Sequence, residues 1–402
     1  MKADTHIAAI VLAAGFSSRM GKMKALLPLA GTTVMGHLID GLRQVAGGPV
    51  ILVTGHCADA VEEQATRLQA QPCRNTRYAD GMFSSVLAGV RMLAGQKDTD
   101  AFFLLPVDYP RVSVETLHLL AHEFKRSKAP VTYPSYCGQS GHPPLIRADV
   151  MPHILKHSGK DGLRGALAAF DSDSVCVDVE NAAILDDLDT PTDYERAVRI
   201  LDHTYEYRHF FLQGEIGIGK STLLHKYIKS HREEMGGFAV SRGYENGRCR
   251  RFVLQSVQES LLPPEGRTPE AKRVFLRERE DGWEFFPQVF EEWCVNLLTD
   301  EQEKGFPLFL LDEIGGVESQ CPMFSGQISR LLAEKRCMGV LKHRRNSEIQ
   351  ANAMREGKAS TYARGKLVKQ IVRTGGRIVT LTEQNRDEAG EQLRRFLSTV
   401  RK

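Results

Sequence analysis

The chain has 402 residues, too many for one ordinary compact core and suited to two domains of common size. With 53 basic against 50 acidic residues its formal charge is +3, which provides no global field for DNA or RNA and argues against nucleic acid as a partner. Its eight cysteines form no CxxC pair and have no His partner at zinc spacing, which argues against a disulfide framework and a structural zinc and leaves a reduced, cytoplasmic chain as the expectation.

The first apolar run, Ile7–Ala13, is too short to span a bilayer and breaks into Gly, Ser and Arg without a cleavage pattern, so it predicts a buried first strand and no membrane segment. Behind it, LAAGFSSRMGKMK sets Ala14, Gly15, Ser17, Arg19, Gly21 and Lys24 in a loop. Backbone that must approach phosphate oxygens closely needs Gly, and the negative charge it meets needs Lys or Arg together with unpaired N–H groups. The competing reading is a plain Gly-rich turn with solvated cations.

Helix-period stretches at Val34–Val45 and Ser85–Leu93 alternate with apolar runs at Val50–Val53, Ala101–Val107 and Val175–Val179, which read as buried strands. That alternation predicts a mostly parallel α/β sheet. Ala101–Val107 delivers Asp108 at its carboxyl end, where open α/β sheets bind ligands and a carboxylate suits a divalent metal. Later, ILDDLDTPTDY supplies Asp186, Asp187 and Asp189 just before a Pro-started helix. Asp189 reads as the second carboxylate of a magnesium site, ahead of Asp186 and Asp187, while Asp189 or Thr190 would also serve as the helix cap before Pro191.

A boundary falls near His203 in DHTYEYRH, giving domains 1–203 and 204–402. The strand–helix alternation then restarts at Phe210–Leu212 and continues through Phe238–Val240, Leu308–Leu311, Met338–Leu341 and Ile378–Leu381 to an amphipathic helix around Asp387–Val400. Between these, Pro263–Asp281 is charged and Pro-containing and reads as an exposed excursion.

GEIGIGKST, Gly214–Thr222, follows the pattern GxxxxGK then Ser or Thr, with a strand before it and a helix after it, and reads as a site for ATP or GTP. Lys220 should reach the β and γ phosphates, Ser221 should ligate Mg²⁺, and Gly217 and Gly219 should turn backbone N–H groups inward. PLFLLDEIGG ends a second apolar strand in Asp312 and Glu313, an arrangement in which the Asp supports the metal and the neighbouring acid orients a water. Two surface acids at a strand end are the alternative. The clusters Arg242, Arg248, Arg250, Arg251, Arg344 and Arg345 read as solvated or salt-bridged faces.

AAGFSSRMGKMK, PVDYP, the GHPPL stretch Gly141–Leu145 and DLDTPTDY, in that order over the first half, resemble the MobA-like nucleotidyltransferase family. The LAAG form of the loop, Leu12–Gly15, resembles the molybdopterin cytidylyltransferases within it. The resemblance implies a Rossmann-like fold, Mg²⁺, CTP as substrate and molybdopterin as acceptor. It also implies that Arg19 and Lys24 hold the triphosphate, Asp108 and Asp189 the metal, that Ser84 and Ser85 lie near the nucleotide, and that His142 faces the pterin. Two readings stay open for His142, since a histidine before two prolines also shapes a turn. GKDGLR departs from the family's GDxGxR at Lys160, which weakens Arg164 as an acceptor contact.

The second half, with GEIGIGKST, LLDEIGGVES and TEQNRDE, resembles the nucleoside triphosphatase family first known from thermophiles, which implies hydrolysis of the β–γ bond at Lys220, Ser221, Asp312 and Glu313. Gly316 stands where that family usually has Pro, and Asn385 and Arg386 match its NRD stretch while also suiting a helix N-cap and first turn. The expectation is a fusion of the two activities, with a molybdenum hydroxylase apoenzyme as a possible recipient of product. The competing expectations are transfer to a sugar phosphate, or a cofactor-delivery chaperone whose nucleotide sites are switches.

Overall fold

The computed structural model describes residues 5–96, 98–260, 273–280, 282–353 and 358–400. It divides into two compact units, Met1–Tyr205 and Glu206–Lys402. Among the described residues no helix is long and apolar enough to cross a membrane.

The first unit contains strands β1 (Ile7–Leu12), β2 (Pro28–Leu29), β3 (Thr32–Thr33), β4 (Val50–Thr54), β5 (Gln71–Arg74), β6 (Ala101–Pro106), β7 (Val131–Tyr136), β8 (Gln139–Ser140), β9 (Leu145–Arg147) and β10 (Val175–Asp178). Its main sheet runs β10-β7-β9-β6-β1-β4-β5, with β8 on β7, and β1 pairs in parallel with both β4 and β6. Strand periodicity sorts β1 between two cores: Ile7, Ala9 and Val11 pack on one face with helices Val34–Arg43 and Val114–Ser127, while Ala8, Ile10 and Leu12 pack on the other with helix Met82–Ala94. Because both faces are covered, a central strand reads in sequence as an unbroken apolar run.

Two helices that frame this sheet start where the sequence provides a cap. The Thr33 hydroxyl accepts from Gly36 N at 3.1 Å, and Ser113 accepts from Thr116 N at 3.2 Å. Val175–Asp178 is not a buried strand but the half-exposed edge of the sheet, so its residues alternate between partial and full exposure.

The second unit contains β11 (His209–Gln213), β12 (Met235–Glu245), β13 (Arg248–Ser256), β14 (Val274–Arg279), β15 (Gly282–Phe285), β16 (Leu308–Ile314), β17 (Arg336–Leu341) and β18 (Gly376–Thr380). They form one sheet in the order β15-β14-β13-β12-β16-β17-β11-β18. The half from β12 to β18 is parallel, and β12 to β15 continue it as antiparallel hairpins. Of the segment Pro263–Asp281 read as an excursion, residues 263–272 and Asp281 lie outside the described residues, but Val274–Arg279 is a paired strand with Val274, Phe275 and Leu276 buried. The charge that suggested solvent sits at Arg277, Glu278 and Arg279, toward the far end of that strand.

Candidate active sites

In the first unit the carboxyl ends of β1 and β6 and the start of helix Met82–Ala94 surround an open pocket of about 290 Å³ lined by Ala14, Gly15, Ser17, Lys24, Ser85 and Asp108, among others. Ser17 holds the loop in shape from within: it sits at φ 51°, and its hydroxyl accepts from Lys24 N at 3.2 Å. Lys24 is thereby turned back toward the strand ends. Gly55 has to be glycine, because a Cβ there would lie 2.7 Å from the Tyr78 side chain and 2.9 Å from Ala14 Cβ.

The acidic residues converge on the same cation. Lys24 Nζ lies 2.9 Å from Asp189 Oδ1 and 3.8 Å from Asp108 Oδ2, and Arg19 Nη1 donates to Asp189 Oδ2 at 2.8 Å. The late segment reaches the strand end through a main-chain bond from Leu188 N to Asp108 O at 2.8 Å. Thr190, not Asp189, caps the following helix: its hydroxyl accepts from Asp193 N, and Asp193 returns the bond to Thr190 N at 2.8 Å. The Asp189 carboxylate is thus directed to the cations. Asp186 is committed elsewhere, buried between Arg111 and Arg196, with Arg196 Nη2 at 2.7 Å.

Burial drives the Asp108 carboxyl up to about 6, with Lys24 pulling it down and Asp187 and Asp189 pushing it further up. Its Oδ1 is buried and accepts no hydrogen bond. An orphaned carboxylate oxygen beside a second carboxylate, both facing cations at a pocket, is the donor chemistry a divalent metal fits. Among the described residues no group of three or more His, Cys, Asp or Glu forms a metal cage, so phosphate or water oxygens would have to complete the coordination.

The predicted Ser84 and Ser85 are joined by a residue the sequence reading missed. Asn75 Nδ2 donates to Ser84 Oγ at 2.9 Å and to Ser85 Oγ at 3.0 Å, fixing the first turn of the helix at the pocket. His142 does not line the pocket; its ring packs on Tyr109 at 4.6 Å between centroids, and its main-chain N–H donates to Ile184 O at 2.9 Å. Phe16 and Tyr78, also missed, stand 5.3 Å apart on the pocket wall. Only their proximity to the Gly-rich loop and to YADGMFSS could have signalled them.

In the second unit the loop after β11 leads into helix Lys220–Ile228. Gly214, Gly217 and Gly219 take φ of 145°, 84° and 89°, which only glycine adopts without strain. Lys220 is buried and donates to Gly214 O at 3.0 Å and Glu215 O at 2.9 Å, so its ammonium is held inside the loop's concavity. Burial lowers its pKa, opposed by Glu313 and Asp312. Ser221 Oγ donates to Asp312 Oδ1 at 3.3 Å, while Thr222, one residue on, is exposed. Asp312 is deeply buried, and that burial, with Glu313 adding to it, pushes its carboxyl to about 7. A buried carboxylate bonded to the loop's hydroxyl is again the set a magnesium ion fits.

Glu313 faces Lys342 Nζ at 3.4 Å. Arg386 is not an ordinary first-turn residue, for its guanidinium donates to Ile218 O in the glycine loop. The Asn385 side chain binds Thr382 N and Thr380 O, each at 2.8 Å, instead of capping its helix. Arg250 pairs with Glu278 at 2.6 Å and Arg251 pairs with Glu245, as salt-bridged faces. Arg242 differs, since its charge is felt by both Asp312 and Lys220.

Residues 9–175 match the family model described as a MobA-like NTP transferase domain, and residues 209–393 match the one described as an NTPase. Molybdenum cofactor cytidylyltransferase of Escherichia coli is 30% identical over 186 residues, 46% of this chain and 92% of that relative. Bifunctional protein GlmU of Anaeromyxobacter sp. is 34% identical over 135 residues, 32% of this chain but only 27% of that relative's length. A solved nucleotidyl transferase from Methanothermobacter thermautotroptrophicus is 24% identical, with TM-score 0.43, covering 50% of this chain and 99% of that one.

Proposed function

The chain belongs to the MobA-like NTP transferase family and carries an NTPase domain behind it, and from that premise we propose that domain 1–203 moves CMP from CTP to molybdopterin with release of pyrophosphate, while domain 204–402 hydrolyses nucleoside triphosphates. The observation that carries the first part is the meeting of Asp108 and Asp189 at Lys24, with Arg19 paired to Asp189. The 30% identity to a molybdenum cofactor cytidylyltransferase supports CTP and the pterin acceptor.

The acceptor's terminal phosphate brings its own oxygen nucleophile, so no covalent enzyme intermediate is needed. Arg19 and Lys24 bind the triphosphate and neutralise charge that accumulates on the departing pyrophosphate. Asp108 and Asp189 would hold magnesium, which when bound orients the triphosphate and draws charge from the transferred phosphorus. Asn75 keeps Ser84 and Ser85 in place beside the nucleotide. In the second domain Lys220 exchanges its two loop carbonyls for phosphate oxygens, Ser221 and Asp312 would hold the metal, and Glu313 orients the attacking water.

The test is to incubate the full chain with CTP, GTP or ATP and Mg²⁺, with molybdopterin, with a sugar phosphate or with neither, and to measure pyrophosphate and phosphate separately. Pyrophosphate release that requires both CTP and molybdopterin is expected, alongside phosphate release that needs neither. Pyrophosphate appearing only with GTP, or only with a sugar phosphate, refutes the cytidylyl assignment.

A further inference from the structure

We propose that Lys342 is a further catalytic residue of the second domain, its ammonium meeting the γ-phosphoryl oxygens as the β–γ bond breaks; this rests on the hydrolytic reading above. The residue lies just past β17 and is outside both the glycine loop and the acidic strand end, so no sequence pattern marks it.

The main chain at Lys342 is fixed from two directions. Its N–H donates to Ile314 O at 2.7 Å, beside Asp312 and Glu313, and its carbonyl accepts from Arg364 Nε at 2.7 Å. Arg364 is 2% exposed and also donates to Gln213 Oε1 at 2.9 Å, on the last residue before the glycine loop. One buried guanidinium therefore ties the base of Lys342 to the base of the loop. A cation anchored in this way loses little freedom when it engages a phosphate.

The side chain then reaches forward. Lys342 Nζ lies 3.4 Å from Glu313 Oε2 and 2.9 Å from Gln350 Oε1, and its charge is felt by Lys220. The room for it comes from Gly316, where a Cβ would lie 2.8 Å from Lys342 Nζ and 2.7 Å from Gln350 Oε1. Any larger residue at that position would displace the ammonium. Lys220, Lys342 and Glu313 are thus gathered at one sheet end, a constellation that neutralises a phosphoryl group from more than one side.

In the reaction the water oxygen bonds to the γ phosphorus, and the bond to the β–γ bridging oxygen breaks with its electron pair left on that oxygen. The water proton passes to Glu313 and on to solvent, giving a nucleoside diphosphate and inorganic phosphate. Lys342 transfers no proton; it neutralises charge spread over the γ oxygens.

The experiment compares full-chain wild type with Lys342→Met and Lys342→Arg. Phosphate release from ATP and GTP gives kcat and KM, and calorimetry gives the affinity for ADP alone and for ADP with aluminium fluoride, a mimic of the transferring group. Lys342→Met should lower kcat by roughly 100-fold or more, weaken the aluminium fluoride complex by a similar factor and leave ADP affinity within about threefold; Lys342→Arg should recover part of both losses. Hydrolysis within about threefold of wild type in Lys342→Met, or equal loss of affinity for ADP and for its fluoride complex, overturns the assignment. A wild type that binds nucleotide but hydrolyses none overturns the hydrolytic reading instead, and the fluoride arm still decides Lys342.

Discussion

Replacing Asp108 by Asn tests its proposed role as a metal carboxylate through stability as well as activity. Burial holds this carboxyl at about 6 against an ordinary 3.8, a difference that corresponds to about 3 kcal/mol and already includes the pull of Lys24. The sign follows from the direction of the shift. The folded state binds the proton more tightly than the unfolded chain, so this contribution is fully present below the unfolded carboxyl's value near 4 and is lost as pH rises through about 6. Without metal, ionised Asp108 therefore weakens the first domain at neutral pH, whereas a neutral Asn does not.

In chelator at pH 8, Asp108→Asn should melt later than wild type by up to about 3 kcal/mol, on the order of 6–12 °C for a unit of this size, and the gap should close below pH 4. Pyrophosphate release should fall at least about 100-fold in the variant. The assay is a thermal scan from pH 4 to 8 in chelator, following the transition that CTP shifts, combined with pyrophosphate detection. Parallel melting curves for the two proteins across that range, or a variant weaker at every pH, would refute the reasoning.

Because Asp312 holds its proton up to about 7, magnesium–nucleotide binding by the second domain should release about one proton below that pH and fewer above it, read from calorimetry in buffers of different ionisation heat. Lys220→Ala should reduce phosphate release by about 1,000-fold or more, measured with ATP and GTP at saturating Mg²⁺. Gly214→Ala places a Cβ 2.7 Å from Leu381 O at a φ of 145°, and nucleotide affinity should drop at least about tenfold in fluorescence titration. Asn75→Ala should raise the KM for CTP more than it lowers kcat, because it loosens the Ser84 and Ser85 turn without touching the cations.

What could be read from the sequence follows from where each strand lies. Ile7–Leu12 and Leu308–Leu311 are buried strand residues, so their sequences are continuous apolar runs, and the loops and acids that follow them could be located by position alone. Gln71–Arg74 and Val175–Asp178 are edges, and exposure removes the hydrophobic signal that would define them. The hairpins after β12 are hidden for another reason: Arg248–Ser256 carries arginines on a strand whose partners, Glu245 and Glu278, are supplied by neighbouring strands. At the sites, residues inside a loop motif were visible, whereas Asn75, Lys342 and Arg364 contribute through tertiary contacts that spacing does not encode. Thr190 could only be separated from Asp189 as the cap once the hydrogen bonds were known.

The bond from Leu188 to Asp108 and the ion pair between Lys24 and Asp189, which spans 165 positions, have a consequence for biosynthesis. A nascent chain exposes its entire cationic loop long before it contains the acid that loop needs. Until the segment at Leu188 docks, Lys24 and Arg19 are two positive charges at the mouth of a pocket with half its countercharge missing. On the proposed roles of Asp108 and Asp189, the domain would gain its transfer site only when this late segment docks, after its central strands have their partners.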